Sequence, residues 1–259
     1  MEMKMATKGK NEIAATSSVN ALGFSEEVPE WAKGGQGRGS ENVGTKDVVI
    51  PRLELVQAQS PIKDENEDAK EGLMFNTVTQ EVLGDMVFVI PVYYRMEYLV
   101  WKDQDAGGGF HGSYDHQDLA DDQVRKLVAA GEDPDLLEVV DTPVHYCLRV
   151  AADMSLEQIV ISMPKSKAKV SRKWNAMIQI AGGDRFSRVY KVTSFKDKNK
   201  QNKTFYNYVV QPAGFPPEAL YREAEKQYAM FSGADGQVVR ASHDAPGETT
   251  VAGHRTDSI

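Results

Sequence analysis

Residues 164–203 read PKSKAKVSRKWNAMIQIAGGDRFSRVYKVTSFKDKNKQNK and concentrate the positive charge of the chain. They include twelve lysines and arginines and two aspartates, a net charge of +10, whereas the whole chain carries −8. The rest of the chain therefore carries −18, and the two signs of charge are segregated. Aromatic residues are interleaved with these cations. A surface for single-stranded nucleic acid needs both groups, because cations contact phosphates and flat rings stack on bases.

The first half of this stretch predicts a helix. Residues 162–183 have Ser162 as a candidate N-terminal cap and end in two glycines. Helical spacing puts Trp174 on an apolar stripe and puts Lys169 and Arg172 on the opposite side. We therefore expect the helix to bury Trp174 and to present a basic face.

The second half predicts a β-hairpin. Residues 185–196 and 203–211 alternate in strand fashion and are joined by a lysine-rich polar loop. Periodicity does not decide which face of each strand is buried. Either choice leaves at least one aromatic ring beside lysines on the outside.

Strand patterns also precede the basic stretch. Residues 81–102 keep a period of two long enough for one long strand, or for two strands bent at Pro91, with apolar residues on both faces. Residues 143–150 and 156–163 predict a second hairpin, and residues 216–231 predict a closing amphipathic helix. This pattern indicates a mainly β protein with helices, of the α+β class, with a strongly curved central strand as in a small barrel. The order of the elements resembles an OB-like β-barrel with flanking helices.

Three ranges divide the chain. We expect a disordered arm over residues 1–46, one globular domain over residues 47–231 and a disordered tail over residues 232–259, because both ends are polar and of low complexity. Within the domain, residues 103–141 hold eleven acids against two basic residues. We expect this segment, which includes a helix over residues 119–130, to be an acidic insertion beside the barrel.

Composition excludes several classes of protein. A chain of 259 residues with 41% apolar content can fill a core, and its pI near 5.2 argues against a protein that coats duplex DNA with its whole surface. Cys147 is the only cysteine, which excludes an internal disulfide. No signal peptide and no apolar run long enough to cross a bilayer occurs. We expect a cytoplasmic protein with no membrane partner.

Catalytic and cofactor motifs are missing from the sequence. It has no phosphate-binding GxxxxGK[ST] loop, no GxGxxG and no GxSxG. His111 with His116, and His145 with Cys147, have spacings that match no standard metal site. We expect no enzymatic activity, no cofactor and no metal.

Several runs of the sequence carry a resemblance to a known group of proteins. These runs are IPRLELVQAQSP, VFVIPVYYRMEYLVWKDQDAGGG, DTPVHYCL, SRKWNAMI and TFYNYVVQPAG. Together they resemble phage-encoded single-stranded-DNA-binding proteins over residues 48–231. The resemblance implies an OB-like barrel that shields single-stranded DNA during phage replication or recombination in the host cytoplasm. Well-known members end in a strongly acidic tail that recruits partners, whereas this chain ends in the nearly neutral PGETTVAGHRTDSI.

The basic, aromatic stretch predicts single-stranded DNA as the partner, and the resemblance implies replication or recombination proteins and a homo-oligomer as further partners. Predicted phosphate contacts are Lys165, Lys169, Arg172, Arg188, Lys191, Lys196, Lys198 and Lys200. Predicted stacking residues are Trp101, Tyr190, Tyr206 and Tyr208.

The same pattern is compatible with other interpretations. Solvated lysines beside strand-forming tyrosines would produce it, although like charges this dense repel one another unless a polyanion relieves them. A phage structural or host-interaction protein that binds no nucleic acid is the alternative from another class, and a nuclease or annealing factor is a third.

Overall fold

The structure is a computed structural model that describes residues 38–43, 49–103, 106–198 and 202–232. The chain divides into two compact units, Met1–Gly44 and Thr45–Ile259. In the first unit, the described residues form a turn in which Val43 N–H donates to the Ser40 carbonyl. The predicted arm, residues 1–46, and tail, residues 232–259, therefore lie almost entirely outside the described residues.

The described part of the second unit contains nine strands and four α-helices. The strands are β1 Leu53–Leu55, β2 Met74–Asn76, β3 Val82–Gly84, β4 Met86–Lys102, β5 Phe110–Tyr114, β6 Leu137–Val150, β7 Leu156–Ser162, β8 Val189–Lys198 and β9 Thr204–Gly214. The helices are α1 Ile62–Glu65, α2 Gln117–Ala129, α3 Ala168–Ala181 and α4 Glu218–Phe231. The predicted α+β class is confirmed.

The strands form two antiparallel sheets. One has the order β1-β2-β3, and the larger has the order β7-β6-β4-β8-β9, with β5 also paired to β4. β4 is one continuous strand: β6 occupies one of its edges, while β8 and β5 pair with the two ends of the other edge. A register shift between Pro91 and Tyr93 accommodates the proline, which has no N–H to donate to the ladder.

The larger sheet is not closed into a barrel among the described residues, because its edge strands β7 and β9 do not pair. Residues 51–57 contact both edges instead. On the β7 side, Val160 N–H donates to the Pro51 carbonyl at 2.9 Å. On the β9 side, the Tyr208 hydroxyl donates to the Leu53 carbonyl at 2.7 Å. The predicted OB-like barrel is therefore not confirmed.

The two faces of the larger sheet are covered by different elements. On one face, here called the α3 face, buried residues of β4, β6, β8 and β9 pack with Leu53, Met74 and Trp174. On the other, here called the α4 face, Ile90 and Tyr146 pack with Phe231 of α4. The apolar residues that alternate along β4 thus serve two cores, as expected for a strand with apolar residues on both faces.

The acidic segment over residues 103–141 is partly built into the larger sheet. β5 and the first residues of β6 pair with β4, and α2 lies between them in the chain. The sequence predicts that the whole segment is an insertion beside the barrel. In the structure β5 and the start of β6 belong to the larger sheet, and only the part between them, with α2, is separate from it.

Helix α3 is anchored through Trp174, as the sequence predicts. Trp174 is fully buried, stacks on the His145 ring with the centroids 4.4 Å apart, and meets Tyr190 edge-on. Its indole N–H finds no acceptor among the described residues, so ring packing holds it in place. The helix begins later than predicted, because Ser162 is the last residue of β7 and not a helix cap.

Polar contacts surround this stack. Arg185 Nη2 lies 2.8 Å from His145 Nδ1 and donates to Asn175 Oδ1 at 2.9 Å. Because a guanidinium can only donate, Nδ1 of His145 carries no proton, and its Nε2–H donates to Ser171 Oγ at 2.8 Å. Burial, and to a smaller extent the charge of Arg185, holds the pKa of His145 well below its ordinary 6.5.

This lowered pKa makes stability depend on pH. Above about pH 6.5 the imidazole is neutral in both the folded and the unfolded chain, so its contribution to stability is fully present. Below that pH the unfolded chain binds a proton that the folded chain does not, and the free energy of unfolding falls by about 1.4 kcal/mol per pH unit until the folded pKa is reached. We expect His145→Gln to remove this part of the slope in urea unfolding between pH 7.5 and 5. The same substitution at the exposed His116 is the control; equal slopes in all three proteins would contradict the assignment.

Gly72 allows the loop before β2 to approach the hairpin. A Cβ atom on Gly72 would lie 2.5 Å from Cε1 of Tyr206, and its φ is +88°. We expect Gly72→Ala to lower the free energy of unfolding by about 1 to 3 kcal/mol, measured by urea denaturation. Gly131 has a φ of +101° and open space around it, so Gly131→Ala measures the backbone contribution alone. A loss no larger at Gly72 than at Gly131 would rule out the steric contribution of Tyr206.

Candidate nucleic-acid interface

A groove of about 730 Å³ lies along α3 and the β8–β9 hairpin. We call it the basic groove. Five cationic side chains line it, against the single carboxylate of Asp197. The cations are Lys165, Lys169, Arg172, Lys173 and Lys198, and the rings that line it are Phe195, Phe205 and Tyr208. Val170 and Met177 add apolar surface on the helix side.

Helical geometry places the cations of α3. Lys169, Arg172 and Lys173 are exposed, whereas Trp174 and Ser171 are buried on the opposite side. Residues three or four apart on a helix share a face, so the three cations form one ridge along the groove. Burial of Trp174 therefore determines where the positive charge points.

Most of this charge is not neutralised by neighbours. Lys165 Nζ pairs with Glu138 Oε2 at 3.0 Å. Within the part of the chain that the structure describes, no ion pair involves Lys169, Arg172, Lys173 or Lys198. Clustered cations with few acidic neighbours produce a positive potential that attracts polyanions.

Strand alternation places the rings of the hairpin. Tyr190 and Tyr208 point into the α3 face and are each 1% exposed. Phe195 and Phe205 point to the other face; Phe195 is 40% exposed and Phe205 is half-buried. The rings that are open to solvent in the groove are therefore phenylalanines.

The structure brings five of the predicted site residues together. Lys165, Lys169, Arg172, Lys198 and Tyr208 all line the basic groove. Tyr208 is buried there, and its hydroxyl is committed to the Leu53 carbonyl.

Three predicted phosphate contacts lie outside the groove. The Arg188 guanidinium lies 4.7 Å from the centroid of the Phe215 ring. Lys196 Nζ lies 5.9 Å from the centroid of Tyr206, on the α3 face. Lys191 is opposite Phe88 in the β4–β8 pairing. Lys200, a fourth predicted contact, lies outside the described residues.

The remaining predicted rings also lie outside the groove. Trp101 packs on Phe110 of β5, with centroids 5.2 Å apart. Tyr190 is buried against Trp174. Tyr206 packs against Gly72 and exchanges two backbone hydrogen bonds with the side chain of Gln57. These rings present little or no face to the groove.

Sequence reasoning did not include three groove residues among the predicted contacts: Lys173, Phe195 and Phe205. Lys173 follows Arg172 directly, and helical spacing puts both on the basic face. The two phenylalanines could have been found once Tyr190 and Tyr208 were assigned to the core, because period two then turns Phe195 and Phe205 outward.

The outer edge of β9 is protected against pairing with another strand. The N–H of Tyr206 donates to the Gln57 side chain, and the carbonyl of Tyr206 accepts from it. These two groups therefore point away from β8, and so do the N–H and carbonyl of every second residue after Tyr206. Tyr208 N–H donates to the Asn207 side chain at 2.8 Å, and Pro212 has no N–H. An extended peptide could not form a regular ladder here.

Buried nucleophiles near the groove are not arranged for catalysis. The Nε2–H of His145 donates to Ser171 Oγ, so the imidazole cannot accept the serine proton, and both residues are inaccessible. Burial raises the pKa of Cys147 to about 12, which makes its thiolate scarce. Among residues 38–43, 49–103, 106–198 and 202–232, no group of three His, Cys, Asp or Glu side chains could hold a metal ion. No helix in these ranges has the length and apolar character needed to cross a membrane.

Comparison with known proteins identifies a family. No curated protein and no solved structure matches this chain. A family model described as "Pam3 phage gp34-like protein" matches residues 15–237, which is more than half of the chain and indicates a phage protein. The chain therefore belongs to the Pam3 phage gp34-like protein family.

Proposed function

We propose that this protein binds single-stranded DNA in the basic groove, without catalysis, during phage replication or recombination in the host cytoplasm. One observation carries the proposal: five cations and two solvent-accessible phenylalanine rings, which come from α3, the turn before it and the β8–β9 hairpin, line the same groove. On this proposal the larger sheet does the work of the OB-like barrel that the sequence predicts, with α3 as the cationic wall of the groove.

The cations suit a phosphate backbone. Lys169, Arg172 and Lys173 follow one another along α3, and Lys198 comes from the hairpin on the other side of the groove. A strand lying along the helix would contact successive phosphates, and release of its counterions would favour binding. Lysine and arginine side chains that are exposed can follow a flexible backbone.

The rings favour unpaired bases. Phe195 and Phe205 are on neighbouring strands and on the same face of the hairpin, diagonally across the ladder. Stacking on such rings requires bases whose faces are free, which a duplex does not offer, and it is worth about 1 to 3 kcal/mol per base.

The edge of β9 argues against a peptide as the ligand. A groove between a helix and a sheet edge is a common site for strand addition, in which main-chain hydrogen bonds supply the affinity. Here Gln57, Asn207 and Pro212 remove half of those bonds between Tyr206 and Pro212. The side chains of the groove remain available, and they match a polyanion with flat bases.

Binding of labelled oligo-dT, measured by fluorescence anisotropy at several salt concentrations, tests the proposal. If the five groove cations each contact one phosphate, the slope of log K against log salt should be about −3.5, because each contact with a single strand contributes about −0.7. We expect the triple substitution Lys169→Glu, Arg172→Glu and Lys173→Glu to weaken binding more than about 100-fold near 0.1 M salt and to flatten the slope by about 2.

A triple charge reversal away from the groove is the matched control. Lys70, Lys126 and Lys226 are exposed and do not line the groove, so Lys70→Glu with Lys126→Glu and Lys226→Glu changes the net charge by the same amount elsewhere on the surface. Equal losses in both variants would show a general charge effect and no site. A preference for duplex DNA, or a stable complex with phage or host proteins and no salt-sensitive DNA binding, would overturn the proposal.

The ion pair at one end of the groove yields a second prediction. Glu138 competes with phosphate for Lys165, since its carboxylate lies 3.0 Å from the ammonium group. We expect Glu138→Gln to tighten oligo-dT binding by about two- to fivefold, the size of an exposed ion pair. Glu132→Gln, which breaks the pair with Lys102 away from the groove, is the control. Weaker binding in Glu138→Gln would contradict this role.

A further inference from the structure

The α4 face of the larger sheet is only partly covered. Helix α4 packs over its centre, where Tyr228 meets Tyr93 and Phe231 meets Tyr146. Toward the β8–β9 hairpin, Met86 is 44% exposed, Phe88 is 37% exposed and Phe195 is 40% exposed. We call this region, formed by β4, β8 and β9, the open sheet face.

Strand register places a cation within the open sheet face. Phe88 is opposite Lys191, and Lys191 is opposite Gln211 of β9. Met86 is opposite Thr193, which is two residues from Phe195 on the same side of β8. Phe88 and Phe195 are therefore separated by one strand spacing and by about 13 Å along the strands.

The open sheet face is continuous with the basic groove. Phe195 lines the groove and also belongs to the open sheet face. Lys191 has no ion pair in the described ranges, and the nearest acid of its strand on this face, Asp197, lies beyond Phe195, away from Phe88. The open sheet face thus repeats the combination found in the groove, an aromatic ring beside a cation.

We propose that the single strand held in the basic groove continues across the open sheet face, where Phe88 stacks on a base and Lys191 contacts a phosphate. This inference rests on the proposed function and extends it with a second subsite. The same strand is the occupant because the two surfaces share Phe195, and because a lone unpaired lysine beside an aromatic ring complements a nucleotide. Binding should therefore strengthen with oligonucleotide length in two stages, as first the groove and then the open sheet face is filled.

Length-dependent binding tests the second subsite. A series of oligo-dT from the shortest that binds up to about 30 nucleotides is titrated into the full chain. We expect Phe88→Ala to weaken binding of the long oligonucleotides by about 5- to 150-fold, the range for loss of one stacked base, and to leave the shortest ones unaffected. Phe88→Trp should restore the affinity, because it keeps a flat ring. Lys191→Gln should flatten the salt slope by about 0.7 for long oligonucleotides only.

The controls separate this inference from the proposed function. Val128→Ala removes an apolar side chain of similar exposure, 38%, from α2, and should change nothing. If Phe88→Ala binds every length as wild type does, while the triple groove variant fails, the second subsite does not exist and the proposed function stands. If Phe88→Ala changes the oligomeric state in sedimentation and leaves DNA affinity unchanged, the open sheet face joins copies of this chain and the inference is overturned. If wild type binds no oligo-dT, both proposals fall.

Discussion

The stacking of Trp174 on His145 is the contact on which the candidate site depends. Trp174 is completely buried, and its neighbour Ser171, on the same side of α3, is held by the imidazole. Turning the helix by one residue would expose the indole and drive a cation toward the core, and burial of an unpaired charge is very costly. The packing of the core therefore determines the direction of the basic ridge, so stability and function are linked at this helix.

The surroundings of the groove keep its charge available. Glu54 holds Lys167, and Glu138 holds Lys165, while the cations further along α3 are not engaged in ion pairs among the described residues. Most of the described acids of residues 103–141 lie on α2, in the turn after it and at the start of β6, which pairs with the far half of β4. An acidic protein can thus carry a local positive surface, and repulsion from the acidic half would direct a polyanion toward the groove.

The hairpin shows how the same alternation serves two purposes. Tyr190 and Tyr208 fill the core between the sheet and α3. The residues that alternate with them along β8 and β9, such as Phe195, point to the other face of the sheet. At the outer edge, Gln57 caps Tyr206 and Asn207 caps the next residue, so the exposed edge of β9 is protected from pairing with other chains. A basic groove beside a protected edge can be open to a ligand without exposing the sheet to aggregation.

Local periodicity of apolar residues was sufficient to predict most of the strands and helices. β4, the hairpin of β6 and β7, helix α3 with Trp174 inward, the β8–β9 hairpin and helix α4 all follow from apolar spacing, because strands and helices bury one side at periods of 2 and 3.6. The concentration of cations in one stretch also follows directly from the sequence, and so does the basic face of α3.

What periodicity could not decide is how elements far apart in the chain meet. Tyr190 and Phe195 fit either face of β8 equally well, and only the packing of α3 assigned the tyrosine to the core. Trp101 packs on Phe110 of β5 and not in the groove. Residues 51–57 contact both edges of the larger sheet, which does not close into a barrel among the described residues. The sequence by itself determined the elements and the charge that they carry, because these depend on neighbours in the chain. The tertiary structure alone decided which cations and rings share a groove, because that depends on packing between different elements, such as Trp174 of α3 on His145 of β6 and Leu53 with Tyr208 of β9.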